Sequence, residues 1–388
     1  MNGRRVQMRS IFPHQAIALE TPVVVLQSDD WGLVGVRDAE GAEELRQNGI
    51  GRGSSPYDEY SLETAEDVSR LMSVLRKHRD ATGRAACMVF NFITANVDFV
   101  RAQAKGLSAD TLIALGQGFP AGWERPGLLE AYREGIGEGV IYPALHGLTH
   151  FNLKAAKRLL ASDSLEGRHL RTLYASGTPQ LPELHAQLGF EYLDPREGKG
   201  EWLDLPAQRQ LIALGAKYFT EAFGLRPRSA CAPGYRANPA TRQAWLENCI
   251  TVAQNGPGAE RLPYQEPSGL WMLYRTVELE PANHPDWSDA RIERQAERAV
   301  AYGAPIIVSM HSVNFHSTLQ NYRDEALLRL DRFLGFLERR FPNLRYAHDE
   351  DLVARFEAGV RGAGTLQATK IRRRWELPAR FQKRMLET

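Results

Sequence analysis

Asp29 and Asp30 stand side by side at the end of Thr21-Pro-Val-Val-Val-Leu-Gln-Ser-Asp-Asp-Trp-Gly32. Adjacent carboxylates repel one another unless a cation or a hydrogen-bond donor sits between them. Further along, His146-Gly-Leu-Thr-His150 has a His-x3-His spacing that lets both imidazoles face one metal. Two His and one Asp leave coordination positions open for water and substrate, which a catalytic metal site needs and a structural one lacks. His311 closes Pro305-Ile-Ile-Val-Ser-Met-His311. Imidazole is the side chain suited to giving up a proton near neutral pH, so His311 is a candidate general acid.

Each group sits where a short apolar run stops. Val23 to Leu26 is mostly β-branched and too short for a buried helix, and a strand apolar on both faces belongs to a parallel sheet covered by helices. Within a strand Asp29 and Asp30 would point to opposite faces, so the expectation is that the strand gives way to a turn there. Strands are predicted over 85–94, 139–146, 228–234, 271–277, 305–311 and 344–347. Helices are predicted over 38–48, 61–79, 125–138, 152–174, 201–223, 238–248, 288–302, 320–340 and 349–358. This alternation predicts a parallel α/β architecture, in which chemistry gathers at the C-terminal ends of the strands.

The chain has 388 residues and 43% hydrophobic content, enough for one elaborated barrel. Lys plus Arg number 48 against 47 Asp plus Glu, which gives no electrostatic argument for nucleic acid. Cys87, Cys231 and Cys249 are few and odd in number, against a disulfide framework. The first twenty residues lack the continuous apolar core of a secretory signal, and no stretch reaches the length of a membrane span. A cytoplasmic protein without stable membrane insertion is expected.

Ser28-Asp-Asp30, His146-x-x-x-His150, Ala232-Pro-Gly-Tyr235 and Val308-Ser-Met-His311, in this order, resemble the successive motifs of the polysaccharide deacetylases, carbohydrate esterase family 4. The resemblance spans roughly residues 20 to 350. It implies a distorted (β/α) barrel and a divalent metal, zinc being the expected ion. It also implies removal of N- or O-acetyl groups from a sugar or polysaccharide. On the same basis Asp29 is the catalytic base, Asp30, His146 and His150 hold the metal, and His311 is the general acid. The Tyr235 backbone N–H falls where the family helps hold the oxyanion. Two positions depart from the pattern. Cys231 stands where the family has an arginine bracing the base, for which Arg236, or less directly Arg228, is the expected substitute. Ser312 stands where an aspartate usually follows the histidine.

The expected organisation is an N-terminal segment 1–20, a barrel over 21–360 with insertions around 52–123 and 176–200, and a basic tail 361–388. The expected function is a metal-dependent carbohydrate deacetylase. The alternatives are hydrolysis of another C–N or a glycosidic bond, or a degenerate barrel that binds glycan without turning it over. Trp31, Trp123, Trp202, Trp271 and Trp287 are candidates to stack on sugar rings, although aromatics at such spacing more often build core.

Overall fold

The structure, a computed structural model, describes residues 16–19, 21–51, 53–195, 200–257, 262–361 and 369–372. Most of the N-terminal segment and of the basic tail lies outside these residues. Eight of the ten strands of the central sheet form the barrel: β1 (Val23–Trp31), β2 (Met88–Phe92), β3 (Ile141–Leu145), β4 (Ser229–Cys231), β5 (Val252–Pro257), β6 (Trp271–Arg275), β7 (Val277–Glu278) and β8 (Ile306–His311). Their order is β6-β5-β4-β3-β2-β1-β8-β7, and every pairing among them is parallel. Only Thr276 separates β6 from β7. The first half of this bent segment pairs with β5 (Val252 opposite Trp271) and the second with β8 (Val277 opposite Val308), which closes the ring. The fold is the distorted (β/α) barrel expected. A further short strand, Arg345–Tyr346, pairs with the start of β1. Among the described residues no helix is long and apolar enough to cross a membrane.

The strand Val252–Pro257 is invisible in the sequence pattern, because Gln254, Asn255 and Gly256 interrupt its apolar run. The helix expected over 152–174 is two helices, Leu153–Leu160 and Leu165–Ala175, the second capped by Ser164. The span 52–123 is not an insertion throughout. It contains the barrel's own helix α1 (Ala65–Lys77), capped by Thr64 and Asp67, and strand β2.

Alternation along β1 sorts its side chains. Val24 and Leu26 join the outer cluster beneath the helices, with Leu71, Leu75 and Leu334. Val23 and Val25 face inward with Val89, Val252 and Ile307, where Leu352, Val353 and Phe356 of the last helix, α2 (Asp349–Arg361), join them. Above this apolar floor the interior turns polar. Gln27, Asp29, Asn91, Ser229, Gln254 and Arg275 are buried there and hydrogen-bond to one another. A barrel core is ordinarily filled with branched apolar side chains. A polar layer is tolerated only when its groups are paired, and this one lies directly beneath the candidate site.

Candidate metal and catalytic site

β1 does not give way to a turn at Asp29; it runs on to Trp31. Ser28 pairs with Phe90 and Trp31 with Phe92, so Asp29 and Asp30 together oppose the single residue Asn91. This bulge, with Asp30 at φ 71, turns the second carboxylate onto the same rim as the first. Four non-glycine residues among those described have positive φ, and three of them, Asp30, His150 and Tyr235, lie at this site. Such backbone is costly and persists where the surroundings fix it. For Asp30 the Tyr60 hydroxyl supplies that, donating to the Asp30 carbonyl at 2.6 Å, and Ser312 Oγ reaches the same oxygen at 3.3 Å. Ser312 thus has a positive role where the motif usually carries aspartate.

Asp30 Oδ1 lies 3.1 Å from His146 Nε2 and 3.2 Å from His150 Nε2. The three side chains come from β1 and from the loop after β3, and their ligand atoms lie within 4.8 Å of one another. His146 Nδ1 donates to the Cys231 carbonyl at 2.9 Å, which in the neutral ring leaves the Nε2 lone pair facing the carboxylate. Two imidazole nitrogens and a carboxylate oxygen meeting at one point form an Asp-His-His donor set, which suits a divalent metal with open positions. Burial opposes ionisation of Asp30, but His150 and His146 hold its carboxyl well below the usual range. Burial likewise pulls His146 down, and Asp29 and Asp30 more than reverse this. The loop carrying His150 is pinned from below by Glu191, whose two oxygens accept from the Leu148 N–H at 2.9 Å. Gly147 is required here, because a Cβ would run into Glu191 Oε2. If this triad holds the metal, His150→Ala should leave a folded barrel that no longer retains stoichiometric metal. Elemental analysis alongside circular dichroism checks this, and full metal in the folded variant would remove His150 from the set.

Asp29 is held differently. Its Oδ1 accepts from Asn91 Nδ2 at 2.6 Å and from Arg275 Nη2 at 2.5 Å. Its Oδ2 faces His311 Nε2 at 3.7 Å and Cys231 Sγ at 3.8 Å. One oxygen is therefore committed to the scaffold and the other is turned to the cavity. Burial raises the Asp29 pKa, but Arg275, then His146 and His311, bring it down to about 2.

The brace on Asp29 is Arg275, at the end of β6, and not Arg236 or Arg228. Arg228 bonds Glu350 and the Cys249 carbonyl, while the Arg236 guanidinium stacks 5.4 Å from the Phe190 ring. Arg275 reaches across the barrel mouth, 3.9 Å from the Cys231 sulfur, and is 1% exposed. It also donates to Gln27 Oε1, the Tyr235 hydroxyl and Ser309 Oγ. Removing it leaves a buried unpaired carboxylate, a defect worth about 3–5 kcal/mol of stability. Arg275→Met is thus expected to lower the denaturation midpoint, and turnover should lose about 1.5–3 kcal/mol in barrier, the size of a charged hydrogen bond. Equal stability and turnover in variant and parent would dismiss the brace.

His311 ends β8, and its Nδ1 lies 2.6 Å from Glu280 Oε1. Asn314 Nδ2 donates to the other Glu280 oxygen at 2.5 Å. Nothing in the sequence pattern singles out Glu280, which follows β7 in an irregular segment. Tyr235 brings its ring rather than its N–H to the site, since that N–H donates to the Ala232 carbonyl at 2.8 Å. None of the five candidate tryptophans lines the cavity over the site. Its walls are Leu33, Val34, Tyr57, Leu181, Phe190 and Tyr235, around a volume of about 410 Å³. They come from the segment after β1, from the segment 176–200 and, for Tyr235, from the turn after β4.

No protein-family model and no curated protein matches the chain. Solved structures similar to it include a Mycobacterium smegmatis protein described as a polysaccharide deacetylase (15% identity, TM-score 0.46, covering 88% of this chain and 91% of that one). Another is a family 4 carbohydrate esterase from Streptomyces lividans in complex with acetate (11%, TM-score 0.36, 84% and 92%). A third is a pseudoenzyme of that family from Bacillus anthracis (10%, TM-score 0.38, 86% and 66%). At these identities and scores none of them assigns an activity to this chain.

Proposed function

We propose that the chain is a metal-dependent deacetylase of the polysaccharide deacetylase family, acting on an uncharged N-acylated amino sugar. The observation that carries this reading is the convergence of three devices on one rim. They are an Asp-His-His donor set, a carboxylate with one oxygen free, and an imidazole whose other nitrogen is held by a buried carboxylate. A divalent ion held by Asp30, His146 and His150 would polarise the acyl carbonyl and lower the pKa of water. Asp29 Oδ2, ionised at all ordinary pH values, takes the proton from the attacking water. His311, protonated on Nε2 and held by Glu280 through Nδ1, gives its proton to the leaving amine.

The cavity supports the substrate class. Among the described residues no Lys or Arg lines it, so an anionic sugar would find no counter-charge there outside the site's histidines. Tyr57, Phe190 and Tyr235 line it with aromatic side chains suited to an apolar sugar face. Gln180 Oε1 is buried without a hydrogen-bond partner in the same wall, an acceptor open to a hydroxyl or amide N–H. The test is acetate release by metal-loaded protein from neutral N-acetyl sugars and oligomers, with sialic acids and nucleotide sugars alongside. Release from the neutral set is expected. Fully loaded protein that releases acetate from none of them would end the reading, and equal release from the anionic set would end the substrate class.

A further inference from the structure

Asp349 is completely buried, lies at the first turn of α2, and has no part in the chemistry above. Its Oδ1 accepts from Gln27 Nε2 at 2.7 Å, and its Oδ2 accepts from Ser229 Oγ at 2.5 Å and Gln254 Nε2 at 2.8 Å. The two glutamines then reach upward. Gln27 Oε1 accepts from Arg275 Nε at 3.1 Å, and Gln254 Oε1 accepts from Asn91 Nδ2 at 2.8 Å. Gln254 Nε2 returns a bond to Asn91 Oδ1 at 2.9 Å. Arg275 and Asn91 are the two donors on Asp29 Oδ1.

We propose that Asp349 is a positioning residue: the buried acceptor that fixes which way the Gln27 and Gln254 amides face, and so keeps Arg275 and Asn91 aimed at Asp29. The reason is parity. A carboxylate only accepts hydrogen bonds and a guanidinium only donates them, so an amide between the two must show nitrogen to one and oxygen to the other. Gln27 is such an amide. Gln254 is set the same way, its nitrogen toward Asp349 and its oxygen toward the Asn91 amide nitrogen. A chain of this kind has a single consistent pattern of donors, and it delivers two N–H groups to the same oxygen of Asp29. Reversing one amide would set N–H against N–H on a buried group, which costs the full desolvation of that group. This explains why the interior is polar here: the amides carry the orientation from α2 to the rim through the barrel axis.

The inference rests on Asp29 being the base, and one of its readouts is independent of activity. Asp349→Asn keeps the shape but turns an amide nitrogen toward either Gln27 Nε2 or Gln254 Nε2, which only donate; Ser229 Oγ is the one partner able to accept from it. In the metal-loaded variant kcat should fall about 10- to 100-fold while KM and metal content hold. The ¹⁵N guanidinium resonances of Arg275, assigned by their loss in Arg275→Lys, should change from resolved to exchange-broadened. The double variant Asp349→Asn with Gln27→Glu restores parity, since the carboxylate introduced at position 27 accepts both from Arg275 and from the new amide at position 349. It should recover sharp Arg275 resonances and most of the turnover. Unchanged Arg275 resonances in a folded Asp349→Asn protein, or a folded double variant whose Arg275 stays broadened, would overturn the proposal. Where Asp349→Asn does not fold, Gln27→Met decides. It leaves Ser229 and Gln254 on Asp349 but cuts the path to Arg275, and resolved Arg275 resonances there would likewise overturn it. Should the parent protein release no acetate, the proposed function fails while the Arg275 spectra still decide the positioning.

Discussion

Asp29→Asn is expected to keep its metal and its fold and to lose turnover by about 10²–10⁴, the usual worth of a general base. The substitution is nearly isosteric, and an asparagine can still place its oxygen where Asn91 and Arg275 donate to Oδ1. What it loses is the second oxygen, the one beside His311, because an amide nitrogen there cannot take a proton. Arg275 would then be a buried cation without its anion, so some loss of stability should accompany the loss of rate. The decisive comparison is metal content in Asp29→Asn and Asp30→Asn. If the first loses metal and the second retains it, the two carboxylates have exchanged roles.

Why those two carboxylates share a rim was only half legible in the sequence. Adjacent aspartates after a β-branched run mark a strand exit, as His146 and His311 do. All of these groups are found at the C-terminal ends of β1, β3 and β8 or in the loop directly after β3. Local pattern suffices for that, because a strand's end is written in its own residues. The bulge is not written there: it consists of a register shift against β2 and a left-handed Asp30 held by Tyr60, thirty positions away. The resemblance places the arginine brace on the strand of Cys231. The structure supplies it from β6, two strands further round the barrel, where Arg275 can still reach the same carboxylate. Glu280 and Asp349 are illegible in the sequence for the same reason. Each is an ordinary carboxylate in sequence and becomes informative only when closure of the ring and docking of α2 bury it beside a partner. Pattern finds groups that act from a strand end, whereas groups that act through a second residue are fixed by tertiary contacts.

His311→Gln should separate proton donation from every other part of the site. The parent imidazole is pulled down by burial, but Glu280 and then Asp29 and Asp30 more than reverse this and raise its pKa to about 9. A donor with that value is charged throughout the neutral range and loses its proton as pH rises through about 9. Amide hydrolysis by the parent should therefore decline on the alkaline side near that pH. Glu280→Gln removes the leading cause of the rise, so the alkaline limb should move to lower pH in that variant. His311→Gln should retain metal and fold, and its amide turnover should fall by about 10²–10⁴. An activated acetyl ester supplies the control, because its leaving group departs without a proton. On that ester His311→Gln should lose far less, and the alkaline limb should be absent even in the parent. Equal losses on amide and ester would mean that His311 orients or binds rather than donates. No loss on either would leave it a rim residue paired with Glu280 for structure alone.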